Sequence, residues 1–292
     1  MEFTFTKMNG LGNDFVFIED LDAEWDLAPE AVAWLCDRHF GVGADGVILI
    51  RRATVPSADY YMHYFNADGS RAEMCGNGAR CFAKYLVDHG LIASNRESLV
   101  IETLCGLRPV TFTRDCNGSL DTATVDMGIP EFDPSKLPST FPGTQVYQCP
   151  METPYGTFGI TGVSMGNPHA VIWVDDVDEA PVETVGPYIE RSDTFPSGVN
   201  VEFAQLVDDE TIRARVWERG VGETLACGTG ACATLVAGTL SCFTGRHATV
   251  ELPGGELFVR WDEDDHVYMT GSAAEVFSGI IAIPEEDDDP CV

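Results

Sequence analysis

Apolar residues recur along this chain at two periods, and the switches between them mark its elements. "FVFIED" (15–20), "GVILI" (46–50) and "DYYMHYFNA" (59–67) are short apolar runs bounded by turn residues, as strands are. "PEAVAWLCDRHF" (29–40) and "GARCFAKYLVDHG" (78–90) carry helical spacing, with Pro29 suited to a first turn and Gly90 to a last. The opening "MEFTFTKMNG" alternates as an edge strand does, and "SLVIET" and "LRPVTFT" continue the strands. "MGIPEFDPSKLPSTFPG" (127–143) crowds Pro and Gly and reads as a linker. Beyond it the order returns: strand "HAVIWVDD" (169–176), strand "TIRARVWERG" (211–220) and helix "GTGACATLVAGTL" (228–240). A hairpin, "ATVELPGGELFVRW" (248–261), turns at Pro253–Gly255, and closing strands follow in "HVYMTGSAAEVFSGIIAI".

The recurrence extends to individual residues. "GNDFVFIED" (12–20) aligns with "GNPHAVIWVDD" (166–176), setting Asn13 against Asn167. "MCGNGARCF" (74–82) aligns with "ACGTGACAT" (226–234), setting Cys75 against Cys227, and Asn66 and Glu218 each stand nine residues before their cysteine. An internal duplication into two α+β halves with a pseudo-twofold arrangement follows. We expect the halves to face each other, with the active site in the cleft between them. The expected boundaries are 1–127 for the first half and 128–276 for the second.

The duplicated phrase carries chemistry. In both copies a cysteine precedes Gly-x-Gly at the start of an apolar helix. The N–H groups of a first helical turn and the helix dipole make an anion site suited to a carboxylate. The same field favours thiolate, taking a cysteine pKa from about 8.5 into the ~3.5–7.5 range. Close packing alone would explain one such cysteine; two at matched positions point to inversion at the α-carbon of an amino acid. One thiolate takes the proton from one face while the other thiol returns one to the opposite face. The helix amides stabilise the carboxylate as it gains enolate character, so no pyridoxal phosphate or other cofactor, and no metal, is called for.

"MNGLGNDFVFIED", "FNADGSRAEMCGNGARC", "GNPHAVIWVDD", "NVEF" and "WERGVGETLACGTGACAT" resemble, in order and over nearly the whole chain, the diaminopimelate epimerases. The resemblance implies a fold of two similar halves, each a mixed sheet wrapped around a central helix, with residues 277–292 returning to the first half. It implies cofactor-independent interconversion of LL- and meso-diaminopimelate in lysine biosynthesis, by a cytoplasmic homodimer. Cys227 then matches the proton acceptor and Cys75 the proton donor in the LL-to-meso direction, exchanging roles in reverse. Gly76–Asn77 and Gly228–Thr229 match positions whose amides hold the reacting carboxylate. Asn13, Asn66, Asn167, Asn200, Glu218 and Arg219 match substrate-binding positions, and His169 and Glu218 match residues that adjust the cysteine pKa values. Taken singly, each asparagine would read as a turn or cap residue, Arg219 as a surface ion pair and His169 as a packed histidine. "GVGADG" (41–46) fits G-x-G-x-x-G but runs into a strand, so it is no dinucleotide site. Gly46 stands where some family members carry a bulkier polar residue, and it is given no binding role.

Three alternatives stay open on the residues alone. Proline-type racemases also pair two cysteines, but tend to carry His where Asn77 stands and lack the "ERG" before the second cysteine. A thiol hydrolase using one cysteine and His169 leaves the other phrase idle. A binding protein would use both helix starts only to hold an anion.

Composition narrows the partners. With 47 acidic against 17 basic residues and a net charge of −30, the surface repels phosphate backbones, which excludes nucleic acid. No apolar run reaches the roughly 18 residues of a membrane helix, and the start lacks the basic-then-apolar order of a signal peptide, so no membrane partner and a cytoplasmic site are expected. Ten cysteines without a C-x-x-C pair fit buried small hydrophobes rather than staples or a zinc ribbon, with Cys291 incidental in the acidic end "PEEDDDPCV". The acidic surface leads us to expect adaptation to a salt-rich cytoplasm, where screening shrinks self-repulsion. The thermal unfolding midpoint should therefore rise with KCl concentration; a midpoint indifferent to KCl would count against that adaptation.

Overall fold

The computed structural model describes residues 2–283, so "PEEDDDPCV" with Cys291 lies outside the described residues. Residues 2–125 with 272–283 form one compact unit and residues 126–271 another. The first unit opens with β1 (Glu2–Gly10), β2 (Asn13–Glu19), α1 (Pro29–Cys36), β3 (Gly46–Arg52) and β4 (Tyr60–Asn66). It continues with α2 (Gly76–Asp88), β5 (Ser98–Thr103), β6 (Gly106–Arg114) and β7 (Leu120–Asp126). The second holds β8 (Cys149–Thr153), β9 (Gly156–Ser164), β10 (Pro168–Trp173), α3 (Val182–Glu190), β11 (Asn200–Asp208) and β12 (Thr211–Glu218). It ends with β13 (Gly222–Thr224), α4 (Gly228–Leu240), β14 (His247–Leu252), β15 (Gly255–Trp261) and β16 (Val267–Gly271). A last strand, β17 (Ala274–Ala282), belongs to the first unit and pairs antiparallel with β1.

The two units share one topology. In the first, the order β17–β1–β2–β3–β4–β5–β6–β7 runs antiparallel, antiparallel, parallel, antiparallel, parallel, antiparallel, antiparallel. In the second, β8–β9–β10–β11–β12–β14–β15–β16 repeats those directions step for step, with β13 a short addition to β12. Parallel neighbours need a crossover: α1 and α2 supply the two in the first unit, α3 and α4 the two in the second. β17 is thus the counterpart of β8, and the duplicated unit is completed by the last described strand.

Both faces of the central strands are buried, which is why they read as continuous apolar runs. Val16, Ile18, Val47 and Leu49 pack with Val32 and Leu35 of α1. The alternate residues Phe15 and Phe17 turn the other way, and Phe17 stacks on Tyr85 of α2 at 5.9 Å between ring centroids. In the second unit Ala170, Ile172, Val201 and Phe203 pack with Val182, Val185 and Ile189 of α3. Their alternates His169, Val171 and Glu202 point to the opposite face.

That opposite face encloses a helix. Residues 76–83 and 85–87 of α2 are all buried, and in α4 Gly228 and residues 230–238 are. A helix sequestered all round cannot sit on a surface; α4 accordingly touches β9, β10, β11, β12, β14, β15 and β16. Even Arg80 of α2 is fully buried, its Nε donating to Ser272 O at 3.2 Å and its Nη2 to Asn77 Oδ1 at 3.0 Å.

Several sequence expectations shift. The first helix stops at Cys36 rather than residue 40, because Asp37 Oδ1 accepts the His39 and Phe40 N–H groups at 2.7 and 2.8 Å and turns the chain. The second helix starts at Gly76, two residues early, with Cys75 as its N-cap, and Gly90 closes it at φ +73. The strand expected at 211–220 is β12, ending at Glu218, and the expected hairpin turns between Leu252 and Gly255. β7, β8, β9, α3, β11 and β13 went unread, β9 because "GTFGITGVS" has too little apolar alternation to show. The expected linker is not free chain: Glu131 bridges Ser164, and Leu137 is fully buried beside Val146, Met151 and Ile160. Leu137→Ala should therefore destabilise the protein by about 2–5 kcal/mol in denaturant titration. A cost within the ~0.5 kcal/mol of a surface change would restore the linker reading.

Candidate active site

Each unit builds one cluster around its motif cysteine. In the first, Cys75 caps α2 in extended conformation, φ −137 and ψ 123, and its sulfur accepts the Gly78 N–H at 3.5 Å. Gly76, Asn77 and Gly78 form the first turn, ahead of the first intrahelical bond from Ala79 N–H to Cys75 O at 2.8 Å. Asn13 Oδ1, at the start of β2, lies 3.5 Å from the Cys75 sulfur and accepts from Asn77 Nδ2 at 3.2 Å. Gly10 permits this packing: a Cβ there would stand 3.1 Å from the Asn77 carbonyl oxygen and 3.2 Å from Arg80 Nη2. Asn66 is exposed at the end of β4, its Nδ2 donating to Ser70 Oγ at 3.0 Å. At Gly46 a Cβ would meet Phe65 O at 2.5 Å and Tyr64 Cε2 at 2.7 Å, so this backbone has no room for a side chain there.

In the second unit Cys227 caps α4 at φ −116 and ψ 111 and is buried, 3.5 Å from Thr229 Oγ1. Gly228, Thr229 and Gly230 make the first turn. Asn167 donates through Nδ2 to Thr229 Oγ1 at 3.2 Å and turns its Oδ1 to His169 Nε2 at 3.1 Å. His169 Nδ1 meets Glu202 Oε1 at 2.6 Å, both side chains fully buried. Glu202 also lies against the α4 start: a Cβ on Gly230 would come within 2.8 Å of its Oε1. Glu218, at the end of β12, accepts from Thr224 Oγ1 at 2.5 Å. Asn200 is buried, donating to Pro168 O and accepting the Arg219 N–H, both at 2.9 Å. It thereby braces the turn carrying Arg219, whose exposed guanidinium reaches Ser197 O at 3.2 Å.

The electrostatics of Cys227 reverse the sequence expectation. Its thiol is pushed well up, first by burial and then by the negative charge of Glu218 and Glu202; the Thr229 hydroxyl and Gly230 N–H only partly offset this. Glu218 is raised too, by burial and by Glu202, against the opposing pulls of Thr224, His169 and Cys227. The helix-start field is therefore outweighed by desolvation, and Cys227 rests as a thiol beside a carboxyl with a raised proton affinity. Elsewhere burial pushes the Cys36 and Cys81 thiols up to about 12, and all nine described cysteines are free. Among the described residues no group of three or more His, Cys, Asp or Glu side chains could hold a metal ion, and no helix is long and apolar enough to cross a membrane.

Two residues escaped the sequence reading. Glu202 sits inside "NVEF", where one acidic residue among buried apolar neighbours was the available signal. Asp45 sits inside "GVGADG", and its Oδ2 accepts from Asn13 Nδ2 at 2.8 Å. Its neighbours in sequence gave no pointer to Asn13, which lies on another element.

Comparison with known proteins places these clusters in context. The family model described as diaminopimelate epimerase matches residues 5–132 and 161–276. The diaminopimelate epimerase of Pelotomaculum thermopropionicum is 49% identical over 278 residues, covering 94% of this chain and 97% of that one. That of Leptospira biflexa is 46% identical over 284 residues, covering 97% and 100%. Among solved structures, a phenazine biosynthesis protein of the PhzF family from Bacillus anthracis superposes with a TM-score of 0.70 at 18% identity, over 97% of this chain and 100% of that one. A hydroxyproline epimerase from Agrobacterium vitis gives 0.70 at 16%, over 98% and 94%. These distant likenesses show the fold: α+β, two similar halves, each a mixed sheet around a central helix. With nearly half its residues shared with curated relatives over almost the full length of both chains, and with the family model matched through both halves, this chain belongs to the diaminopimelate epimerase family.

Proposed function

We propose that this protein interconverts LL- and meso-2,6-diaminopimelate, an isomerase step of lysine biosynthesis, by moving a proton at one α-carbon between two cysteines. The observation that carries the reading is the matched pair of N-cap cysteines, Cys75 and Cys227, each at the buried start of a central helix in a chain of this family. Inversion needs an acid on one face of the carbon and a base on the other. In the LL-to-meso direction Cys227 is the acceptor and Cys75 the donor. Cys227 becomes thiolate when its proton passes to Glu218, whose own raised proton affinity suits it to hold one. His169, paired with Glu202, orients Asn167 toward Thr229.

The N–H groups of Gly76–Asn77 and Gly228–Thr229 hold the reacting carboxylate and stabilise its enolate character. These groups supply acid, base and anion site, so the reaction as proposed runs without a cofactor. Asn13, Asn66, Asn167 and Arg219 bind the polar ends of the substrate, Arg219 offering its planar fork to the distal carboxylate. Asn200 serves by bracing Arg219. We further propose a cytoplasmic homodimer, as the family resemblance implies.

In D2O, incubation with LL-diaminopimelate should place deuterium at one α-position while the meso form appears. Exchange with proline instead would move the protein to another racemase class, and exchange with neither would favour a binding protein. Cys75→Ala and Cys227→Ala should each lower turnover by about 10²–10⁴-fold with the circular dichroism spectrum retained; wild-type turnover by either variant would sink the two-cysteine mechanism. Alkylation of Cys227, followed on its own peptide by mass spectrometry, should show a pH midpoint above the ordinary thiol value of about 8.5. Glu218→Gln removes a neighbouring negative charge, so it should move that midpoint down while turnover falls.

A further inference from the structure

Asn13 and Asn167 occupy matched positions, yet their amides have different surroundings. The register of β2 with β3 sets Phe15 opposite Gly46, and that of β10 with β11 sets His169 opposite Asn200. One residue earlier stands Asp45 in the first unit and the buried, apolar Val199 in the second. Only the first unit thus presents a carboxylate to its asparagine at this position. Asp45 Oδ2 accepts from Asn13 Nδ2 at 2.8 Å and from the Asp14 N–H at 3.0 Å, and its Oδ1 accepts from Arg38 Nη2 at 2.8 Å.

This contact is one of two that set which way the amide faces. An ionised carboxylate only accepts, so the group Asn13 offers to Asp45 must be its NH2. The other end of the chain agrees. A guanidinium only donates, so Arg80 Nη2 fixes the oxygen of Asn77, at 3.0 Å, and turns the Asn77 NH2 to Asn13 Oδ1, at 3.2 Å. A hydrogen-bond chain Arg80–Asn77–Asn13–Asp45 therefore has a donor-only group at one end and an acceptor-only group at the other, and its polarity cannot reverse. The oxygen of Asn13 is left facing the Cys75 sulfur at 3.5 Å, where it can accept only from S–H. An acceptor on that sulfur favours the protonated form over the thiolate.

We propose that Asp45 is a positioning residue of the first unit: it fixes the Asn13 amide with its oxygen on Cys75, holding that cysteine as the proton-bearing thiol. The donor role of Cys75 rests on the function proposed above; the orientation of Asn13 and its effect on the thiol do not. The charged groups around the chain are Lys7 on β1, bridged to Asp14 at 2.7 Å, Asp14 on β2, Arg38 and Asp45 beyond α1, and Arg80 on α2. "GVGADG" resembles a phosphate loop and is none; it carries instead the carboxylate that orients Asn13.

The deciding experiment is the pH profile of Cys75 alkylation by iodoacetamide in the full chain, read on the Cys75 peptide by mass spectrometry, for wild type, Asp45→Ala and Asp45→Asn. The carboxamide of Asp45→Asn retains an oxygen that can accept from Asn13 and from the Asp14 N–H, so it keeps the amide orientation but not the charge. Asp45→Ala removes both, leaving the Asn13 amide held at its oxygen alone by Asn77 Nδ2 and able to swing that oxygen away from the sulfur. The midpoint should fall by on the order of one pH unit in Asp45→Ala and stay at the wild-type value in Asp45→Asn. An equal fall in both variants would mean that charge and not orientation acts on the thiol, and overturns the proposal; so does an unchanged midpoint in both. The plateau rate at high pH reports access to the sulfur separately from its ionisation. No substrate enters this measurement, so its failure is distinct from a failure to exchange deuterium into diaminopimelate.

Discussion

Each half of this protein depends on burying a thirteen-residue helix on all its sides. A helix so enclosed has only its end from which to present a functional group. The last residue before it, still extended, is the cysteine. Enclosure demands small residues where sheet and helix meet, which explains the glycines of the motif. Gly78 lies 3.2 Å from Ile48 Cδ1 and Gly230 2.8 Å from Glu202 Oε1, measured from where a Cβ would sit. Two parallel strand pairs per unit, each needing a crossover, place one helix inside and one outside.

On this repeated backbone the side chains have diverged. Phe15 and Ile48 of the first unit correspond to His169 and Glu202 of the second, and the helix-start glycines Gly78 and Gly230 meet Ile48 and Glu202 at the same place. Asn66 corresponds to Glu218, and Asp45 to Val199. The second cysteine consequently has ionisable side chains about it, whereas the first faces an amide held in one orientation. The duplicated scaffold thus gives its two motif cysteines unequal surroundings by changing side chains rather than its fold.

The charge distribution follows the same division between inside and outside. With only 17 basic residues, the chain places several where they organise structure: Arg80 and Lys7 are buried, and Arg51 and Lys84 keep 16% and 14% of their side chains exposed. Arg80 orders the first helix turn and Lys7 pairs with Asp14. The acidic excess is left to the surface, where water and salt carry its cost.

Much of this was legible in the amino-acid sequence. The repeated C-G-x-G-A phrase, the matched asparagines and the residues nine places before each cysteine are local in sequence, so periodicity and self-comparison found both the duplication and the two cysteines. Boundaries set by a competing local bond, such as the Asp37 turn that ends α1, were missed by a few residues, and strands lacking apolar alternation, such as β9, were missed altogether. What the sequence by itself determined was which residues recur and what chemistry their types permit. Only the tertiary structure decided how each is used, because proton affinity and amide orientation depend on neighbours brought together from distant parts of the chain. Burial, with Glu218 and Glu202, raises Cys227 against the pull of its own helix, and Asp45 helps turn the amide of Asn13 toward Cys75; no local pattern could carry either result.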